Sequence, residues 1–250
     1  MITISIVSHN QAKLVDQLLN DLSNINFTGP IILTSNIPGE NFTIPDKLLS
    51  QVRLISNSSP KGFGANHNYA FLQCKTAYFA VLNPDIRITL NPFDSLLQRM
   101  TDNIVMVAPA ILSLSGRPED NARDFPTPLS LIKKALHLDD GYHPYELGAP
   151  PFSPDWIGGM FMVIKSDAFR QLQGFDEAYF LYYEDVDLCL RLRKTGWSIR
   201  LDPAVSAIHD AQRSSHRNIQ YLKWHVLSLL RYLIRHSCWL MRRKLCKPSQ

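Results

Sequence analysis

Three short apolar runs and one alternating run are spaced along the first third of this chain, and each stops on polar residues. ITISIVS (2–8) leads into His9-Asn10, IILT (31–34) into Ser35-Asn36, VRLIS (52–56) into Asn57-Ser58-Ser59, and YFAVL (78–82) into Asn83-Pro84-Asp85. Short runs rich in Ile and Val, bounded by turn residues, read as strands. Between the first two, Leu14, Leu18, Leu19 and Leu22 fall at helical spacing, and helical character returns near 65–75. Further strands are predicted near 104–108, 160–164, 198–201 and 205–208, and helices near 93–100, 129–137, 166–172, 185–195 and 217–243. Alternating strands and helices predict an α/β fold with a largely parallel sheet. Residues 113–157, rich in Pro, Gly and Asp, predict a loop-rich segment and a soft boundary between two halves.

In an open α/β sheet, ligands bind at the carboxyl ends of the strands. Any one of the polar clusters alone reads as a turn, because Asn, Pro, Asp and Ser are favoured there. Four of them at one edge converge on a single crevice, which turns Asn83 and Asp85 toward a site. Between the third and fourth strands, PKGFGANHN (60–68) offers Gly62 and Gly64 for close backbone approach, followed by a helix start whose free N–H groups suit an anion. It is not a P-loop, since G-K-[ST] is missing.

The chain has 250 residues, 45% hydrophobic and 19% charged, which suits one globular domain or two tightly joined halves. Its four cysteines are scattered without a C-x-x-C pair, so neither a zinc site nor a disulfide framework is expected, and a reducing, cytoplasmic setting is. The N-terminus reads as a first strand rather than a signal peptide, and no apolar stretch reaches the roughly 18 residues of a membrane span. The net charge of +4 hides an asymmetry: residues 211–250 hold nine Lys/Arg and no acid, leaving 17 basic and 22 acidic residues elsewhere. A basic tail on a mildly acidic body points to an anionic partner.

Seven stretches then lie in order along almost the whole chain: SIVSHN (5–10), GFGANHNYAF (62–71), LNPDIRI (82–88), RDFPTP (123–128), DWIGGMFMVIKSDAF (155–169), GFDEAYFLYYEDVDLCLRLRKTGW (174–197) and AIHD (207–210). Together they resemble the inverting family-2 glycosyltransferases of GT-A fold, in which a Rossmann-like nucleotide-binding sheet is fused to an acceptor-binding half. The bacterial rhamnosyltransferase branch, which builds O-antigen and related cell-wall glycans, is most similar. The resemblance implies one catalytic domain over 1–210, with a nucleotide half to about 112 and an acceptor half beyond it, and a basic amphipathic helical tail over 211–250. It implies that Asp85, in the place of the D-x-D motif, and His209 hold a divalent cation, Mg2+ or Mn2+. Oxygen and imidazole ligands suit either ion. Ser8, His9, Asn10, Ser35, Gly62, Phe63, Gly64, Asn66, Asn83, Asp85 and Arg123 are expected at the nucleotide-sugar. Asp155, Trp156, Gly158, Gly159 and Tyr183 are expected around the acceptor. The family usually carries an acid after the second strand; here Ser35 and Asn36 stand there instead.

Glu184, Asp185 and Asp187 open a predicted helix that stops at Gly196. Acids at a helix start oppose the macrodipole, but three in four positions exceed that need. Phe180, Tyr182 and Tyr183 beside them suit stacking on a sugar face. The resemblance selects Asp185 as general base, with Glu184 beside it; Asp187 is expected to pair with Arg191 one turn on.

The expected reaction moves L-rhamnose from dTDP-L-rhamnose to a sugar on a polyprenyl diphosphate lipid. UDP-galactofuranose, a UDP-hexose, or nucleotide-sugar binding without catalysis are the competing readings. A nucleotidyltransferase would show a basic Gly-rich signature near the N-terminus, and a base-reading module for nucleic acid is not recognisable. The tail predicts a peripheral protein on the cytoplasmic face of the bacterial inner membrane, with residues near 219–230 on the body and 231–247 on lipid. Self-packing and a homodimer seam are the alternatives.

Overall fold

The computed structural model describes residues 1–210 and 219–246. Tail residues Arg213, Arg217 and Lys247 lie outside the described residues. In chain order the elements are β1 (Ile2–Ser8), α1 (Ala12–Asn24), β2 (Ile31–Ser35), β3 (Val52–Ser56), α2 (Phe63–Phe71), β4 (Tyr78–Leu82), β5 (Ile86–Arg87), α3 (Phe93–Gln98), β6 (Ile104–Leu112), β7 (Ala122–Arg123), α4 (Pro128–Ala135), β8 (Trp156–Ile157), β9 (Phe161–Lys165), α5 (Ser166–Gln171), α6 (Glu184–Lys194), β10 (Ser198–His209) and α7 (Ile219–Cys246).

The main sheet has eight strands in the order β3-β2-β1-β4-β9-β6-β10-β5, and β7 pairs with β8 apart from it. The fold is α/β as expected, but the sheet is mixed rather than largely parallel. β3, β2, β1 and β4 pair in parallel, as do β6 and β10, whereas β9 runs antiparallel between β4 and β6. The cause is the segment 113–157. It leaves β6 at the carboxyl edge and returns to that edge, so β9 starts beside Leu82 and runs back. The two strands expected near 198–208 are one strand with a register shift between Asp202 and Ser206. Buried Asp202 occupies this irregularity, accepting from Ala204 N–H at 3.0 Å and Arg99 Nε at 2.6 Å.

Strand periodicity divides the core between the sheet's two faces. Along β4, Ala80 and Leu82 join Ile4, Ile6, Leu18 and Leu22 on the α1 face. Phe79 and Val81 join Phe169, Tyr179 and Leu188 on the face of α5 and α6.

The section of α7 expected on lipid packs on the body, and so does part of the section expected on the body, whose Trp224 and Ser228 meet Phe180 and the Leu181 carbonyl. The later part of α7 packs on the body: Ser228, Tyr232, His236 and Leu240, four residues apart, are all buried, and Tyr232 and Leu240 share a core with Leu188. The earlier part exposes Ile219, Leu222, Val226, Leu227 and Leu230, with Ile234 beyond them. Both faces of the helix are apolar, so its stripe alone did not say which would be covered. Tyr232 is 0% exposed.

Candidate active site

The ends of β1 and β2 are joined by a residue that sequence reasoning missed. Glu40 folds back from the following loop, and its Oε1 accepts from Ser8 Oγ at 2.5 Å and from Gln11 N–H at 3.1 Å. Its Oε2 accepts from Ser35 Oγ at 3.0 Å. An acid therefore does stand after the second strand, displaced to the far side of a turn at Gly39, whose φ is +87°. His9 and Asn10 are exposed beside it, and Asn10 adopts φ 62°, which asparagine tolerates.

Three buried asparagines hold the Gly62 loop. Asn57 Nδ2 donates to Asn36 Oδ1 at 2.9 Å and to Asn66 Oδ1 at 2.7 Å. Asn36 accepts from Lys61 N–H at 2.8 Å, and Asn66 donates to the carbonyls of Lys61 and Gly62 at 3.2 and 3.0 Å. The amide of Asn66 is thus engaged inside the loop. The close approach that Gly62 and Gly64 permit is to this chain's own backbone and core. A Cβ on Gly62 would lie 2.7 Å from the Phe180 carbonyl oxygen, and one on Gly64 2.7 Å from Phe175 Cβ. Phe63 N–H donates to that same Phe180 carbonyl at 2.9 Å, fastening the Gly62 loop to the segment before α6.

Asp85 and His209 are brought together by pairing of β5 with the end of β10. His209 lies opposite Ile86 in register, and Asp210 N–H donates to the Asp85 carbonyl at 2.8 Å. Asn83 and Asp85 do form a turn, with Ile86 N–H donating to the Asn83 carbonyl at 3.2 Å, and that turn presents the carboxylate. Asp85 Oδ2 is 3.2 Å from His209 Nε2, and a second unforeseen acid, Glu119, places Oε2 2.7 Å from Nδ1. Burial lowers the imidazole pKa, but hydrogen bonds and charge from Asp85 and Glu119 outweigh it and lift it to about 9.

The donor set fits a hard or borderline divalent cation. Asp85 Oδ1 is buried without a hydrogen-bond partner among the described residues. Asp85 and Glu119 lie on opposite sides of the imidazole, and among the described residues no three His, Cys, Asp or Glu side chains converge on a ready cage. A carboxylate and an imidazole leave the remaining positions for phosphate oxygens and water.

The acid cluster begins α6 after two tyrosines in the left-handed region, Tyr182 (φ 68°) and Tyr183 (φ 67°). Bulky side chains adopt that conformation only where the surroundings enforce it. The enforcement comes from α7: both tyrosines pack on His225 with ring centroids 5.4 Å away, and Tyr183 also packs on Tyr232. Phe180 packs on Trp224 at 4.7 Å. These aromatics, expected to face a sugar, hold the tail helix and through it the turn that aims the acids.

Asp185 Oδ2 accepts from Gly159 N–H at 2.9 Å, and Oδ1 from Val186 N–H at 2.8 Å. Burial raises its carboxyl pKa, partly offset by these backbone bonds. Glu184 is driven well above the usual carboxylate range by burial and by the charge of Asp185. Its Oε2 is buried with no partner among the described residues. Asp187 pairs with Arg191 Nε at 2.6 Å.

Gly158, Gly159 and Met160 connect the two sets of acids. Asn83 N–H donates to the Met160 carbonyl at 2.9 Å, while Gly159 N–H holds Asp185. Asp155 Oδ2 accepts from Phe125 N–H at 3.1 Å, and Trp156 Nε1 donates to the Asp124 carbonyl at 3.0 Å. Arg123 is bound to Asp120 and to the Asp140 carbonyl, the latter at 2.6 Å.

No protein-family profile matches the chain. It is 28% identical over 248 residues to the rhamnosyltransferase WbbL of Escherichia coli (strain K12), covering 94% of this chain and 93% of that protein. It is also 28% identical over 214 residues to the N-acetylglucosaminyl-diphospho-decaprenol L-rhamnosyltransferase of Mycobacterium tuberculosis (strain CDC 1551 / Oshkosh), covering 75% of this chain and 69% of that one. Among solved structures, GalNAc-T7 with UDP, GalNAc and Mn2+ superposes with a TM-score of 0.64 at 13% identity. The mannosyltransferase PcManGT from Pyrobaculum calidifontis, in complex with GDP-Man and Mn2+, does so at 0.55, also at 13% identity. The matches cover 87% and 92% of this chain but only 44% and 64% of those chains. At that identity they establish the fold alone, which is GT-A. The curated relatives, at 28% identity, support a family-2, rhamnosyltransferase-like glycosyltransferase.

Proposed function

We propose that this enzyme transfers L-rhamnose from dTDP-L-rhamnose, with inversion, to a sugar on a polyprenyl diphosphate lipid in O-antigen or related polysaccharide synthesis. The observation that carries the reading is the link through residues 159–160. It ties the Asn83–Asp85 turn, suited to the donor diphosphate, to Asp185, suited to a base on the acceptor side. Both rhamnosyltransferase relatives' names favour rhamnose as the sugar moved, and that of the Mycobacterium tuberculosis enzyme favours a lipid-linked acceptor. Asp185 accepts the proton of the acceptor hydroxyl. That oxygen bonds to the anomeric carbon from the face opposite the nucleotide, and the bond to the diphosphate oxygen breaks. Asp85 and His209 would hold a divalent cation, Mg2+ or Mn2+, which when bound would supply positive charge to neutralise the departing diphosphate. Ser8, His9, Asn10, Ser35 and the Gly62 loop bind the nucleotide of the donor. Residues 1–112 serve the donor and 113–210 the acceptor.

The test is transfer from a panel of labelled nucleotide sugars to a lipid-linked N-acetylglucosamine diphosphate, with and without EDTA. Labelled product from dTDP-rhamnose, lost with EDTA and restored by Mn2+ or Mg2+, is the expected result. Product from a UDP-sugar alone overturns the donor assignment, and full activity in EDTA overturns the metal.

No helix among the described residues is long and apolar enough to cross a membrane. We place the enzyme as a peripheral protein on the cytoplasmic face, held by the exposed side of α7. Leu222, Val226 and Leu230 lie on that side with Lys223 among them. The neighbouring α4 exposes Leu129, Ile132 and Leu136 beside Lys133 and Lys134. The helices are close: burial and the Lys134 charge both lower the pKa of His225 on α7. Apolar stripes bordered by basic residues bind anionic bilayers, at about 1 kcal/mol for each lysine or arginine near the surface. The wild-type chain should float with anionic liposomes at low salt. A variant with Leu222→Asp, Val226→Asp and Leu230→Asp should stay in the pellet fraction. Equal flotation of both rejects this surface, and so does a wild-type dimer that the triple change converts to a monomer without any vesicle binding.

A further inference from the structure

We infer that Glu119 is a positioning residue for the metal site: it anchors the Nδ1 side of His209 so that Nε2 is the nitrogen offered beside Asp85. The inference rests on the metal reading above and extends it to a residue outside the motifs that suggested that reading.

The geometry is specific. Glu119 Oε2 lies 2.7 Å from Nδ1, while Nε2 is 3.2 Å from Asp85 Oδ2. Both ring nitrogens are therefore committed to different carboxylates on opposite sides of the ring. A carboxylate can only accept, so the Nδ1 contact requires a proton on Nδ1. Glu119 cannot meet a cation on the Nε2 side, because the imidazole stands between them. Its own place is fixed by the backbone: its N–H donates to the Ile111 carbonyl at 2.7 Å, and its carbonyl accepts from Asn121 N–H at 3.0 Å. Ile111 lies in β6, which pairs with β10 as far as Ile208, next to His209. One sheet thus sets both the imidazole and its anchor. Asp85 immediately precedes β5, on the other side of β10.

A hydrogen-bonded carboxylate of this kind fixes the tautomer and orientation of a metal-binding histidine, and its loss costs about 10–100-fold in metal affinity. Asp120, the next residue, carries the same charge but is turned to Arg123. It provides a control for charge without contact.

The experiment is a Mn2+ titration of the full chain, followed by electron paramagnetic resonance of the free ion, in the wild type, E119Q and D120N, with and without dTDP. Melting temperatures without metal establish that each variant is folded at the titration temperature. The expected result is a Mn2+ dissociation constant raised about 10–100-fold in E119Q and little changed in D120N. A merely structural contact would lower the melting temperature of E119Q and leave its Mn2+ affinity intact, which overturns the inference. Equal weakening in E119Q and D120N also overturns it, since net charge would then account for the effect. If the wild type itself binds no Mn2+, the metal reading fails and this inference fails with it, an outcome distinct from wild-type binding that E119Q retains.

Discussion

Asp185→Asn should lower turnover by about 10²–10⁴-fold, the usual worth of a positioned general base, while nucleotide binding persists. Two features point to this carboxylate. Its oxygens are aimed by Gly159 and Val186 N–H groups, and burial raises its pKa toward the working range of a base. Asparagine has one acceptor oxygen where aspartate has two, so one of those N–H groups loses its partner, at about 1–3 kcal/mol. Melting temperature and calorimetric binding of dTDP must therefore accompany the rate, to separate lost chemistry from lost fold. Turnover that needs ionised Asp185 should rise with pH along a limb above the ordinary carboxylate range.

Glu184 supplies the contrast. Its pKa is raised by burial and then by Asp185, so the folded protein retains its proton to higher pH than the unfolded chain does. Stability should accordingly fall as pH rises from the unfolded value of a glutamate through the raised folded one. Glu184→Gln removes that loss, so its melting temperature should exceed the wild type's at pH 8 and match it near pH 4. It should also keep most of its turnover. Near-normal turnover in Asp185→Asn together with an inactive Glu184→Gln would falsify the assignment and move the base to Glu184.

What could be read from the sequence divides along physical lines. The β1, β2 and β4 runs were legible because burial on both faces forces unbroken apolar stretches, whereas edge strand β3 is largely exposed and only alternates. Their polar ends were legible because parallel strands share one carboxyl edge. Glu40 and Glu119 were not, since a lone acid in a loop has no periodicity to mark it; only a folded turn brings Glu40 back to Ser8 and Ser35. A Pro-Gly turn followed by a single acid, just past the strand where an acid was wanted, was the available hint. The packing of Phe180, Tyr182 and Tyr183 on α7 was hidden for a related reason. An aromatic beside a catalytic acid suits a sugar or a neighbouring helix equally, and α7, far along the chain, occupies it. The orientation of α7 was hidden because it carries apolar residues on both sides.

Asp187→Ala should cost about 3–5 kcal/mol of folding stability, as expected when one partner of a buried ion pair is removed. Asp187 is 0% exposed and joins α6 to α7. Its Oδ2 accepts from Arg191 Nε at 2.6 Å, and its Oδ1 from His236 Nε2 at 2.7 Å. Lys194 Nζ lies 2.9 Å from His236 Nδ1. An ammonium can only donate, so Nδ1 accepts and Nε2 carries the proton given to Asp187. Burial pushes the Asp187 carboxyl pKa up, but His236 and Arg191 outweigh it and hold the value below the ordinary one. The stabilisation is therefore present above the unfolded aspartate pKa and is lost as pH falls through the lowered folded one. Removing the carboxylate leaves the Arg191 guanidinium without its counter-charge, though still bonded to the Leu172 and Gly174 carbonyls, and frees the His236 N–H inside the interface. Because Tyr183 and Tyr232 pack across the same seam, loosening α7 also relaxes the left-handed tyrosines that aim Glu184 and Asp185. Urea unfolding of Asp187→Ala should thus show a lowered midpoint, with α7 becoming cleavable by trypsin under native conditions. Asp187→Asn, which retains an acceptor for one partner, should lose less. A midpoint shift worth under about 1 kcal/mol, within the range of an exposed pair, with α7 still protected, would mean that apolar packing of Tyr232 and Leu240 holds the helix and that the buried charges add nothing to it.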